Sequence, residues 1–208
     1  MLGEDVEMVM HRISCETHLQ VADNRFQYFI NHYLKDEIRP GTCVFVSSYF
    51  DFLRLKSYLE GSTTSRPSRI SFVCLSEYST GPEISAARSA FYNQHASLLL
   101  VTERFHFYKR FQPIKGISQL LFYSLPNESH FVKDWIDFLH SGMTRPTGEH
   151  KLKKIKPSDG QLTQNRSKYA EKSIHCFFDK FDALKMTRIF GTRQTVKALS
   201  SGQTSFLL

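Results

Sequence analysis

Apolar positions along this chain fall into two rhythms. Short β-branched or leucine-rich runs need cover on both faces and read as buried strands. They are TCVFVS (Thr42–Ser47), RISFVCL (Arg69–Leu75), SLLLVT (Ser97–Thr102), ISQLLFYSLP (Ile117–Pro126) and SIHCFFD (Ser173–Asp179). Between them, apolar residues spaced three and four apart predict helices over Asn24–Lys35, Tyr49–Glu60, Glu83–Gln94, His130–His140, Lys180–Gly191 and Thr192–Ser201. Asp23 or Asn24 is placed to cap the first helix, Ser47 or Ser48 the second, and Thr192 the last. Gly191 stops the helix before it. TSFLL, Thr204–Leu208, is a candidate edge strand. Strand–helix alternation of this kind predicts an α/β fold, a doubly wound and mostly parallel sheet.

The run LLLVTERFHFYKRF, Leu98–Phe111, changes character halfway. A buried strand gives way to Thr102, Glu103, Arg104, His106, Tyr108, Lys109 and Arg110. In open α/β sheets the carboxyl ends of strands are where ligands and partners dock. The alternative is an amphipathic helix whose charges simply face water. Gly142–Lys172 differs again, with scattered Pro and Gly, almost no apolar period and the basic cluster Lys151–Lys156. It reads as a flexible basic insertion. The expected organisation is an N-terminal segment over 1–22, a core over 23–141, the insertion over 142–172, and C-terminal helices with a closing strand of the same lobe over 173–208.

With 208 residues the chain is long enough to bury one sizeable core. Its net charge of +7 favours contact with polyanions. Eighteen Phe and nine Tyr serve cores, interfaces and base stacking alike. The four cysteines are scattered, without a disulfide framework, which points to a reducing compartment. Cys15 and His18 make half a metal site at best, so no metal is expected. The opening MLGEDVEMVMHRIS lacks the apolar core of a secretory signal. No run approaches the length of a membrane-spanning helix.

Several blocks resemble one family. TERFHFYKR (Thr102–Arg110) is the most specific; IKGISQLLFYSLP (Ile114–Pro126), SSYFDFLRLKSYL (Ser47–Leu59), ISAARSAFYNQ (Ile84–Gln94) and KFDALKMTRIFGT (Lys180–Thr192) support it. Together they resemble the C-terminal part of the digestive organ expansion factor family, nucleolar pseudo-helicases of the small-subunit processome. The fit is poor from about Gly142 to Lys172. The resemblance implies a RecA-like lobe of the helicase second-lobe type. It also implies that the chain is a fragment, a split gene product or a reduced form, because complete members carry another lobe first.

Helicase chemistry is largely missing from the sequence. There is no G-x-x-x-x-G-K-[ST] phosphate loop, and no Asp-Glu pair follows a buried strand. Where a working second lobe carries arginine fingers, after Leu125-Pro126, this chain has His130 and no arginine until Arg145. Such a finger is worth about 10³–10⁵ in phosphoryl transfer. Neither GxSxG nor GxGxxG is present. No cofactor and no small-molecule substrate are expected.

By resemblance to helicase second lobes, Ser47, Tyr49 and Phe50 follow the first core strand of the lobe. Thr102, Glu103 and Arg104 stand where helicases contact the RNA backbone. Thr102, Arg104, Lys109 and Arg110 suit phosphate oxygens, and Tyr108 or His106 suits base stacking. The competing reading packs Phe105 and Tyr108 into the core and pairs Glu103 and Arg104 with neighbours such as Arg88. The implied partners are pre-ribosomal RNA with the small nucleolar RNA particle, other processome proteins and a separate first RecA-like lobe, without a membrane. The implied role is binding without catalysis. An RNA-dependent ATPase half and a protein scaffold that never touches RNA remain the rivals.

Overall fold

The computed structural model describes residues 7–34, 38–65, 70–109, 113–141, 172–201 and 204–207. Seven strands form one sheet in the order β3-β4-β2-β5-β6-β1-β7. They are β1 (Glu7–Arg12), β2 (Thr42–Val46), β3 (Phe72–Leu75), β4 (Leu98–Thr102), β5 (Gln119–Phe122), β6 (Ser173–Phe178) and β7 (Ser205–Leu207). All neighbours run parallel except β7, which lies antiparallel on β1. The expected α/β sheet, mostly parallel, is therefore what the chain builds.

Both faces of the sheet are covered. Helices α1 (Val21–His32) and α2 (Tyr49–Ser65) lie over one core, which includes Val44, Val46, Leu98, Leu100, Phe29 and Leu55. The alternate strand residues Cys43, Phe45, Leu99 and Val101 enter the other core. There they meet α3 (Gly81–Tyr92), α4 (Glu103–Lys109), α5 (His130–Ser141), α6 (Ala183–Phe190) and α7 (Thr192–Ser200). A strand buried on both sides reads as a nearly continuous apolar run, and β2 and β4 are buried throughout, with threonine only at an end of each. Gly41 and Gly116 lie against each other beside the amino ends of β2 and β5, both at positive φ. A Cβ on Gly41 would come within 2.7 Å of the Gly116 carbonyl oxygen, so only glycine fits that crossing.

Three expectations are corrected. Strand β1 forms inside the segment expected to be separate, and pairs with β6 from Glu7↔Ser173 to Arg12↔Phe178. Met8 and Met10 of this strand are buried in the core. Helix α1 begins at Val21, so Asp23 sits in its first turn and Asn24 donates to the Ser14 carbonyl. Thr192 is the first residue of α7, whose N-cap is Gly191. Ser48 does accept the Asp51 N–H, at 3.3 Å, and TSFLL does supply the edge strand β7. The basic cluster Lys151–Lys156 lies outside the described residues.

On the face covered by α1, His11 Nε2 sits 3.0 Å from His175 Nδ1 and 2.9 Å from the Tyr33 hydroxyl. Burial first, and then a neighbouring imidazole, push both histidines down to about 4. At the carboxyl end the strands release most of the charged groups.

Candidate nucleic-acid interface

Strand β4 passes into α4 without a loop. The Thr102 hydroxyl accepts the Phe105 N–H at 3.0 Å and donates to Glu77 Oε2 at 3.0 Å. A capping oxygen of this kind satisfies one of the free amides at a helix start. Glu103 is buried and accepts from the Asn127 N–H and Nδ2, each at 2.8 Å. It thereby ties α4 to the segment entering α5. Burial raises its pKa, against the hydrogen bonds and the Lys185 charge that lower it.

Arg104 points outward, with its side chain 60% exposed, and its Nε lies 3.5 Å from Glu77 Oε1. That contact is an ion pair without hydrogen-bond geometry, since Oε1 is buried with no hydrogen-bond partner. A hydrogen bond with Tyr108, then the Glu77 charge, hold the guanidinium pKa above its usual value. Tyr108 is 57% exposed and Lys109 is exposed too. Arg110 lies outside the described residues.

Helical geometry splits the charged aromatic run in two. Phe105 and His106 turn inward; Arg104, Phe107 and Tyr108 turn outward. The packing reading therefore holds for Phe105 and fails for Tyr108. His106 as a stacking residue is corrected. Its ring is 2% exposed, meets Phe131 edge-on at 4.6 Å and bonds Asp134 Oδ2 at 3.1 Å. No face of it is open to a base. Thr102 as a phosphate contact is corrected as well, because its buried hydroxyl already serves Glu77 and the helix cap. Arg88 is not the partner of Glu103: it donates to the Pro113 carbonyl at 2.7 Å.

The neighbouring strand end brings Ser47 and Tyr49 to the same edge. The Ser47 and Ser124 hydroxyls lie 2.7 Å apart and link the ends of β2 and β5. Tyr49 stacks on Phe52 and meets the exposed Tyr78 edge-on at 5.5 Å. Phe50, next to it, is 83% exposed. The sequence reading missed Glu77, which organises the site by holding both Thr102 and Arg104. An acid two residues beyond a buried strand run is its signal. Among the described residues no three metal-ligating side chains converge.

The family model for the Utp25 C-terminal domain matches residues 1–208. The chain belongs to this family. It is 31% identical, over 99% of its length, to U3 small nucleolar RNA-associated protein 25 of Sclerotinia sclerotiorum. It is 30% identical, over 96% of its length, to the human homolog of that name. It spans only about a quarter of each relative, 26% and 23%. These relatives carry the Utp25 name rather than that of digestive organ expansion factor.

Solved structures agree on the fold. The DEAD-box protein SrmB of E. coli superposes with a TM-score of 0.56 at 11% identity, over 89% of this chain and 84% of that one. The RNA helicase Prp28 of Chaetomium thermophilum gives 0.58 at 13% identity, over 94% and 37%. At such identity the likeness shows a RecA-like lobe of the helicase type and nothing about activity.

Proposed function

We propose that this lobe is a non-catalytic RNA-binding and scaffolding part of the small-subunit processome. It would act in the nucleolus, in pre-ribosomal RNA processing and small ribosomal subunit biogenesis. Membership of the Utp25 family supports the particle, since its relatives are named for the U3 small nucleolar RNA. The partners are then pre-ribosomal RNA with the small nucleolar RNA particle, other processome proteins, and a separate first RecA-like lobe at the charged edge.

One observation carries the RNA contact: Arg104 and Tyr108 stand exposed on α4, just past the carboxyl end of β4. A guanidinium suits a phosphate oxygen and a neighbouring phenol offers a face to a base. Lys109 and Arg110 extend the positive charge along the chain, and Ser47 and Tyr49, between β2 and the first turn of α2, border it. The role is non-catalytic because the sequence lacks both the phosphate loop and the arginines after Leu125-Pro126.

The test is single-stranded RNA binding by fluorescence anisotropy across a salt series. Binding through phosphates weakens steeply with salt, because neutralised phosphates release counterions. Charge reversal at Arg104, Lys109 and Arg110 is expected to abolish most of that binding. Unchanged affinity would move the contact elsewhere, and no binding at low salt would leave only the protein scaffold. ATP turnover in the presence of RNA would sink the non-catalytic assignment.

A further inference from the structure

The carboxyl edge holds a second concavity, bounded by α1, the start of α2 and the turn after β6. Its volume is about 430 Å³, and Arg25, Ser47, Phe50, Asp51, Phe181 and Asp182 line it. The rim is open and largely apolar, with Lys180 Nζ 5.1 Å from the centre of the Phe181 ring. Phe50 is 83% and Phe181 45% exposed, and Leu19 and Leu184 beside these segments are exposed as well. Large apolar side chains left uncovered at the mouth of a groove mark an interaction surface.

The groove carries three carboxylates, Asp51, Asp179 and Asp182, against the cations Arg25 and Lys185. Asp179 and Asp182 share one guanidinium, Arg25 Nη2, at 2.7 and 3.3 Å. Asp51 fares worse. Its N–H is bonded to Ser48, but among the described residues no donor reaches its carboxylate. The nearby Arg54 is spent on Asp23 at 2.6 Å. Lys185 at the rim reaches the Leu125 carbonyl at 3.5 Å. Burial pushes the Asp51 carboxyl up despite the Arg25 and Arg54 charges. A part-buried carboxylate without a donor has lost part of its hydration, which the Arg25 and Arg54 charges make good only in part.

We infer that this groove receives an arginine or lysine side chain of a partner protein, with the partner's flanking apolar residues seated on Phe50 and Phe181. The cation supplies the donor that Asp51 lacks, and the exposed Phe50 ring adds cation–π attraction. Charge complementarity selects this occupant over RNA. A cytosine or guanine edge can also donate to a carboxylate. It arrives with phosphates attached, and these would approach Asp51 and Asp182 against like charge. The inference rests on the scaffolding half of the proposed function and is independent of its RNA half.

Two synthetic tetrapeptides decide the matter, Leu-Arg-Leu-Phe and the same sequence with neutral citrulline for arginine. Each is titrated into the full isotope-labelled chain and followed by NMR. The arginine peptide is expected to shift the amide signals of Phe50, Asp51 and Phe181. It should bind about tenfold more tightly than the citrulline peptide, a difference of about 1.4 kcal/mol. Asp51→Asn should remove that preference and leave the melting temperature unchanged. Phe50→Ser should weaken both peptides alike. An oligocytidine in the same assay should shift Arg104 and Tyr108 signals and spare the groove. Equal affinity for the two peptides overturns the inference. So does an oligocytidine that shifts Phe50 and Phe181 and displaces the arginine peptide. Loss of RNA binding with the peptide preference intact would refute the RNA contact alone and uphold the groove.

Discussion

The two halves of the carboxyl edge enclose different charges, acids alone beside β4 and a base together with its acids beside β6. Beside β4 the acids Glu77 and Glu103 are inside, engaged with Thr102, Arg104 and Asn127, and the base Arg104 is outside. Beside β6 the base Arg25 is inside, and Asp51 and Asp182 line an open groove around it. Both halves hold ion pairs at the ends of parallel strands. What each offers to a partner depends on which member of the pair the fold has enclosed. The first half therefore presents a cation to solvent and the second lines its groove with part-buried carboxylates, although the chain as a whole is strongly basic. A single net charge describes neither surface.

The comparison breaks most visibly at Arg25. Arg25→Met leaves Asp179 and Asp182 without their cation, and removing one partner of a buried pair costs about 3–5 kcal/mol. Urea unfolding measures it; a loss below about 1 kcal/mol would mean the acids do not depend on Arg25. On the other half, Glu103→Ala strands the Asn127 donors and should cost about 1–3 kcal/mol by the same measurement. Arg104→Glu and Lys109→Glu should leave stability within about 0.5 kcal/mol, as exposed changes do. Each should lower the slope of log affinity against log salt for RNA by roughly one. Thr102→Val removes a helix cap and should cost about 1 kcal/mol with little change in RNA affinity.

Acidity separates the acidic groove from the histidine pair on the α1 face. Burial first, and then Asp179, raise the Asp182 carboxyl from 3.8 to about 6. The folded state then holds that proton more tightly than the unfolded one, so this contribution is present at low pH and is lost as pH rises from about 4 to about 6. His11 and His175 act in the opposite sense. Their pKa values are lowered from 6.5 to about 4, so their contribution is present above 6.5 and disappears as pH falls towards 4. Asp182→Asn should leave a midpoint that climbs with pH across this window. His11→Phe with His175→Phe should leave one that declines. Thermal melts at pH 4, 5 and 6.5 distinguish the two slopes.

Much of the fold was legible because its strands are buried on both faces. An unbroken apolar run such as Leu98–Val101 has few other uses, and every such run became a strand. Strand β1 was not legible. Its partner β6 begins at Ser173, far along the chain, and nothing local announces that pairing. The candidate site was half legible. Arg104, Tyr108 and Lys109 were rightly expected at a strand's carboxyl end and stand exposed there. His106 was misplaced because its partner Asp134 lies on α5, a helix that only the fold sets beside α4.

The sequence alone determined the alternation of strands and helices, the excess of positive charge and the lack of a phosphate-holding loop, because hydrophobic period and residue type are local properties. Tertiary structure alone decided which charges are enclosed. Enclosing one costs several kcal/mol unless a partner is brought to it. For Arg25 that partner is Asp179, 154 residues away, delivered by the sheet rather than by the neighbouring chain.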